Sequence, residues 1–249
     1  MNREYHKWFS PVLRRDMELL VFGHAGAPVL FFPTRTARFY DYENYRVIDA
    51  IADKINNGFI QVYCLDSVDA ESFYCECSHP SQRIIRHNQY EEYILNEVLP
   101  LVRYKNSNNF IISAGCSLGA YHAVNIALRH PHLFGKIVGL SGRYDLTIET
   151  KSQIDPNTSF QDLFSGYRDE NVYLNMPTQF MPNLNDENIL RHIRKLEIAL
   201  VVGLDDPFYP NNKFLHDTLQ SKGVHSGLYI WEGEAHRSTY WRQMVKCYL

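Results

Sequence analysis

The stretch Asn109-Phe110-Ile111-Ile112-Ser113-Ala114-Gly115-Cys116-Ser117-Leu118-Gly119-Ala120 decides the fold. Phe110 to Ala114 is a short apolar, β-branched run that reads as a buried strand, and the small residues Ala120, Ala123, Val124 and Ala127 that follow lie in a helical pattern, Leu118 to Arg129. Between them stands Gly115-Cys116-Ser117-Leu118-Gly119, of the form G-x-S-x-G. A serine on so tight a strand-to-helix turn has strained backbone and lifts its hydroxyl above the sheet, and glycines flank it because a Cβ would clash at the crossing. The same pattern also occurs as a purely structural turn; the strand before it and the helix after it favour a nucleophile.

Outward from this turn, strand and helix signals alternate. Phe59 to Leu65, Lys136 to Leu140, Ile198 to Val202 and Gly227 to Trp231 read as further strands buried on both faces. Tyr42 to Ile55, Tyr90 to Tyr104, Asn212 to Lys222 and Thr239 to Tyr248 carry helical periodicity. Near the start, Met17 to Gly23 and Val29 to Phe32 flank the turn His24-Ala25-Gly26-Ala27-Pro28 and read as an antiparallel hairpin. The expectation is a mostly parallel, doubly wound α/β sheet with an antiparallel N-terminal hairpin, in one domain over residues 1–249. Residues 145–195 break the rhythm with Pro156, Pro177 and Pro182; they are expected to form an insertion before the acid-bearing strand that shapes a cleft.

A serine nucleophile needs a base and an orienting acid, which in this kind of sheet follow in the order Ser, Asp, His. Gly203-Leu204-Asp205-Asp206-Pro207 places two carboxylates past the end of Ile198 to Val202, and Glu232-Gly233-Glu234-Ala235-His236 places an imidazole past the last strand. Groups at the carboxyl ends of parallel strands converge on one rim. Asp206, third after the glycine and held by Pro207, is favoured over Asp205, and Glu234 is the next candidate. Either aspartate could instead be a loop or helix-capping carboxylate. His122, one turn past Ser117, is the rival base, but its helix carries it away from the hydroxyl.

These residues bring the chain to a family. It resembles, nearly end to end, the esterase family of α/β-hydrolases related to esterase D and S-formylglutathione hydrolase. The resemblance rests on Asn2-Arg3-Glu4-Tyr5 with Met17-Glu18-Leu19, on Pro28 to Thr34, and on Gln61 to Asp69 with Glu71-Ser72. It continues through Gly115 to Ala123, Leu140 to Asp145, and Ala235-His236 with Tyr240-Trp241-Arg242. It implies an α/β-hydrolase fold and a serine esterase acting on carboxylic esters or thioesters, with Ser117 as nucleophile, His236 as base and Asp206 as acid. It also implies one oxyanion donor at the Leu118 N–H and a second after Pro33, among Thr34, Arg35 and Thr36, with Arg35 taken as the donor. Glycines are frequent in that loop among relatives, whereas this chain has Arg35-Thr36-Ala37-Arg38. Related mycolyltransferases make acyl transfer to another alcohol the alternative, and a hydrolase-fold binding protein without turnover is a second.

Composition limits the partners. Hydrophobic residues at 45% and charged residues at 21% fit a globular chain. With 25 Lys+Arg against 28 Asp+Glu, there is no basic surplus to hold a nucleic acid or an anionic membrane. No apolar stretch reaches the roughly 20 residues of a membrane span, and no leader is recognisable, so a cytoplasmic location is expected, with a small-molecule ester as partner and homo-oligomerisation open. Cys64, Cys75, Cys77, Cys116 and Cys247 are expected to stay reduced. A lone Cys75-x-Cys77, and His216, Asp217 and His225, are weak metal candidates, so neither metal nor cofactor is expected. Phe160, Phe164, Tyr167, Tyr173 and Phe180 are expected to line one cleft wall, and Phe39, Tyr40 and Tyr42 the other; either group could equally be core.

Overall fold

The computed structural model describes residues 1–151 and 159–249. One sheet holds the strands β1 (Arg3–Ser10), β2 (Arg15–Phe22), β3 (Ala27–Phe32), β4 (Ile60–Leu65), β5 (Ile112–Cys116), β6 (Lys136–Leu140), β7 (Glu197–Gly203) and β8 (Ser226–Trp231). Their spatial order is β1-β2-β4-β3-β5-β6-β7-β8. β1 and β2 are antiparallel, β2 is antiparallel to β4, and from β4 to β8 all pairings are parallel. This is the mixed sheet of an α/β-hydrolase.

The antiparallel start lies one strand earlier than the sequence suggests. β1 pairs with β2 from Arg3↔Phe22 to Ser10↔Arg15, whereas β2 and β3 do not pair at all: β4 is inserted between them. The turn at His24 to Gly26 therefore links two strands with another between them. Gly26 permits this at φ +94°, where a Cβ would stand 2.3 Å from the Phe59 carbonyl oxygen. The signal for β1 is the alternation in Arg3-Glu4-Tyr5-His6-Lys7-Trp8, whose exposed and half-buried positions alternate along an edge strand.

Helices cover both faces. On one side Pro80–Tyr93, Leu99–Lys105, Leu118–Arg129 and Tyr209–Ser221 pack a core around Tyr63, Tyr93, Ile94 and Leu215. On the other, Asp41–Asn44, Val47–Ala50, Ala52–Asn56 and Ser238–Tyr248 close over Phe31, Ile48, Val62 and Met244. The helix expected over Tyr42 to Ile55 is thus three short pieces, broken at Arg46, whose φ is +56°. The helix expected from Tyr90 starts ten residues earlier, at Pro80, which suits the first helical turn because it lacks an N–H. It passes through a π-helical turn, Ile94–Val98, just before Pro100; a widened turn relieves the clash of a proline ring with the preceding turn. β5 sits two residues later than Phe110 to Ala114, because Asn106 and Asn108 hold the preceding segment in local turns.

The stretch 145–195 contributes the short helices Glu170–Leu174, Pro177–Asn183 and Glu187–Ile193 and a two-residue ribbon pairing Thr150–Lys151 with Ser159–Phe160. Residues 152–158 of it, Pro156 among them, lie outside the described residues. A separate apolar cluster, with Phe73, Tyr121, Phe164 and Met176, anchors it over the sheet edge.

Candidate active site

The register of the central strands brings three loops together. Phe32 stands opposite Gly115, and Cys116 opposite Leu140, so the turns after β3, β5 and β6 emerge side by side at the carboxyl edge. Ser117 occupies the turn after β5 at φ +56°, ψ −120°, and its N–H donates to the Leu140 carbonyl at 2.8 Å. That strained backbone requires the flanking glycines. A Cβ on Gly115 would lie 2.2 Å from the Gly119 carbonyl, and one on Gly119 would lie 2.1 Å from the Phe32 carbonyl oxygen. The Tyr42 hydroxyl locks the turn from below, donating to Phe32 O at 2.7 Å and accepting from Cys116 N–H at 2.9 Å.

The loops after β7 and β8 meet just as closely. A Cβ on Gly203 would stand 2.1 Å from the Glu234 carbonyl oxygen, so β7 can end here only in glycine. Leu204 N–H donates to Trp231 O and Asp205 N–H to Gly233 O, which ties the loop after β7 to the loop after β8. Within that clamp the Asp206 side chain is fully buried. Its Oδ1 accepts from Phe208 N–H at 2.9 Å, and its Oδ2 lies 2.8 Å from His236 Nδ1. His236 Nε2 lies 3.0 Å from Ser117 Oγ. The imidazole is flanked by the rings of Phe208 and Trp241, at 5.5 and 5.6 Å between centroids. Ser141 Oγ accepts from Trp241 Nε1 and donates to Ala235 O, each at 3.3 Å, bracing the loop after β8.

Ser117, His236 and Asp206 thus form one hydrogen-bonded row. Asp205 and Glu234 stay outside it, half-exposed, with no side-chain hydrogen bond among the described residues. His122 is not near the row: it is buried against Asp69, Nε2 to Oδ1 3.0 Å. Asp69 also accepts, through Oδ2, the Thr36 N–H at 3.1 Å. Thr36 is therefore occupied, and among the described residues the Leu118, Thr34 and Arg35 N–H groups near Ser117 have no protein acceptor. Asp69 was legible only as part of a family pattern; its partners come from a helix and a loop far away in the chain.

A cavity of about 270 Å³ opens over Ser117 Oγ. Its walls are Thr34, Arg35, Tyr74, Leu118, Arg143, Phe160, Phe208, His236 and Trp241. Of the aromatics expected in the inserted stretch only Phe160 reaches it: Phe164 and Phe180 are core, and Tyr167 and Tyr173 pack half-buried against the core clusters. Phe39 and Tyr42 are core as well, and Tyr40 lies at the surface, so that wall is formed instead by Arg35 with Tyr74. The sequence singled out no role for Arg143, although it stands at the rim where β6 ends. Among the described residues no three His, Cys, Asp or Glu side chains gather as metal ligands would: Cys75 and Cys77 face each other at 3.0 Å, and His216 bonds Ser226 Oγ. No helix among the described residues is long and apolar enough to cross a membrane.

The family described as "Putative esterase" matches residues 34–245 of the sequence. The chain belongs to this esterase family. As a member it is a carboxylic ester hydrolase. No curated protein sequence matches it. Among solved structures, this esterase superposes on a ferulic acid esterase with a TM-score of 0.74 at 18% identity, covering 99% of this chain and 96% of that one. An S-formylglutathione hydrolase from Agrobacterium tumefaciens gives a TM-score of 0.70 at 13% identity, covering 98% and 93%. One from Staphylococcus aureus gives 0.62 at 18%, covering 99% and 94%. At these identities the likeness establishes the fold, and the esterase assignment rests on the family match.

Proposed function

We propose that this esterase cleaves carboxylic esters and thioesters through an acyl-enzyme formed on Ser117, with His236 as general base and Asp206 as the acid that orients it. A carboxylate only accepts hydrogen bonds, so Asp206 fixes the imidazole proton on Nδ1 and leaves Nε2 to take the Ser117 proton. As Oγ attacks the ester carbonyl, negative charge grows on the carbonyl oxygen, and the N–H groups of Leu118 and Arg35 stabilise it. The imidazolium then protonates the leaving alkoxide or thiolate. Water enters, gives its proton to Nε2, and releases the acid by the reverse path. The chain's own groups supply every proton transfer in this scheme.

The observation that carries the reading is the continuous row from Asp206 Oδ2 through His236 to Ser117 Oγ, 2.8 and 3.0 Å, at the floor of a cavity. Hydrolysis of p-nitrophenyl esters of graded chain length tests it. Ser117→Ala is expected to lose several orders of magnitude in kcat while remaining folded. Retention of more than about a tenth of the wild-type rate would remove Ser117 from the mechanism.

A further inference from the structure

Two guanidinium groups and no carboxylate line the cavity above Ser117. Arg143 is 6% exposed, and burial lowers its affinity for its proton. Its Nε donates to the Asp145 carbonyl at 3.1 Å, and its Nη2 donates to the carbonyls of Ile148 at 2.7 Å and Gln161 at 2.8 Å. Nη1 has no acceptor among the described residues, though the side chain borders the cavity. Nearby acids are engaged elsewhere. Asp145 accepts from Thr147, Thr178 and Gln179, and Asp162 from the N–H groups of Phe164 and Gly166 and from Arg168.

Arg35 stands exposed on the same cavity, its guanidinium 5.7 Å from the Tyr74 ring centre, with no ion pair among the described residues. The contrast with Arg38 and Arg86 is direct, since each of these part-buried arginines holds a carboxylate, Asp66 and Glu71. A buried cation without a counter-ion is costly. The first turn of the helix Leu118–Arg129, aimed at the same space, adds partial positive charge. Among the described residues, the two guanidinium groups lining the cavity form no ion pair, and no carboxylate lines it beside them.

Resting on the serine-esterase reading, we infer that the substrates of this site are esters that carry an anionic oxygen group, a carboxylate or a phosphate, close to the scissile carbonyl. Arg143 Nη1 binds that group and Arg35 covers it from the mouth. A guanidinium fork suits such an anion, and a charge-assisted hydrogen bond in a secluded site is stronger than a neutral one. Arg143 also holds the backbone carbonyls of Asp145, Ile148 and Gln161, so the test must separate recognition from support.

The comparison is kcat/KM for mono-4-nitrophenyl glutarate against its neutral methyl ester, corrected for uncatalysed release. Wild type is expected to favour the anionic ester by about tenfold to hundredfold, the range of one charged hydrogen bond. High salt, Arg35→Gln and Arg143→Gln should each shrink that ratio several-fold. With the neutral ester as reporter, competition by glutarate and by inorganic phosphate distinguishes the two anions, and competition by neither contradicts the proposal. A wild-type ratio near one, or an Arg143→Gln variant that slows both esters equally, would overturn it while leaving the esterase reading intact. If Arg143→Gln does not fold, the wild-type ratio and Arg35→Gln decide. Loss of both hydrolyses in wild type, or their survival in Ser117→Ala, would instead overturn the reading beneath it.

Discussion

Two adjacent aspartates, Asp205 and Asp206, differ in every respect that matters to catalysis. Asp206 is fully buried and bonds Phe208 N–H and the imidazole; Asp205 is spent on the backbone clamp to Gly233 and leaves its carboxylate half-exposed. Asp206→Asn would let the side-chain amide donate to Nδ1 and so impose the wrong tautomer. It is expected to lower kcat by about 10³- to 10⁴-fold, against a small change for Asp205→Asn, measured as initial rates on one activated ester. A reversed order would move the acid to Asp205. Cys116, next to Ser117, offers no nucleophile of its own: it is buried and burial pushes its thiol up, away from the reactive thiolate.

The turn bearing Ser117 lies where β3, β5 and β6 meet, and one hydroxyl joins two of these strands. Tyr42 is buried and satisfies both Phe32 O and Cys116 N–H, and its ring stacks on Phe31 at 3.8 Å. Tyr42→Phe keeps the ring and orphans both backbone groups, so it is expected to cost about 1–3 kcal/mol in urea unfolding and to lower kcat as the turn loosens. An unchanged unfolding midpoint would show that the link is idle. The sequence carried the strand-turn-helix around Ser117 because close packing there demands glycine at 115 and 119, a local constraint. It carried the strands buried on both faces for the same reason. It did not carry Tyr42 as a lock, the pairing of β2 with β4, or Asp69 holding both His122 and Thr36, because each depends on contacts between segments distant in the chain. The alternation from Arg3 to Trp8 signals β1, but the hairpin expected across Gly26 left that strand out and placed the antiparallel pair one strand too late.

Across the whole molecule, the helix layer over β5 encloses an aromatic and imidazole cluster whose chemistry bears on stability. His87 is buried among Phe73, Tyr121 and His122, and its Nδ1 has no hydrogen-bond partner among the described residues. Burial, then the neighbouring His122 and Arg129, hold its proton affinity well below the usual imidazole range. The unfolded chain protonates this residue as the pH falls through about 6.5, and the native state does not until lower pH. The sign follows: the stability His87 contributes is complete above that value and declines below it. Urea unfolding at pH 7 and pH 5 is expected to show a loss that is smaller in His87→Leu than in wild type. An equal loss in both would assign the acid sensitivity to other groups.

The central claim is that Ser117 is the activated nucleophile of an ester hydrolase. The most direct measurement is intact and peptide mass spectrometry after treatment with an organophosphate that phosphorylates activated serines. One adduct is expected, on the peptide bearing Ser117, formed in step with loss of ester hydrolysis and absent in His236→Ala. An adduct on another residue, or full esterase activity in protein that stays unlabelled, would contradict it.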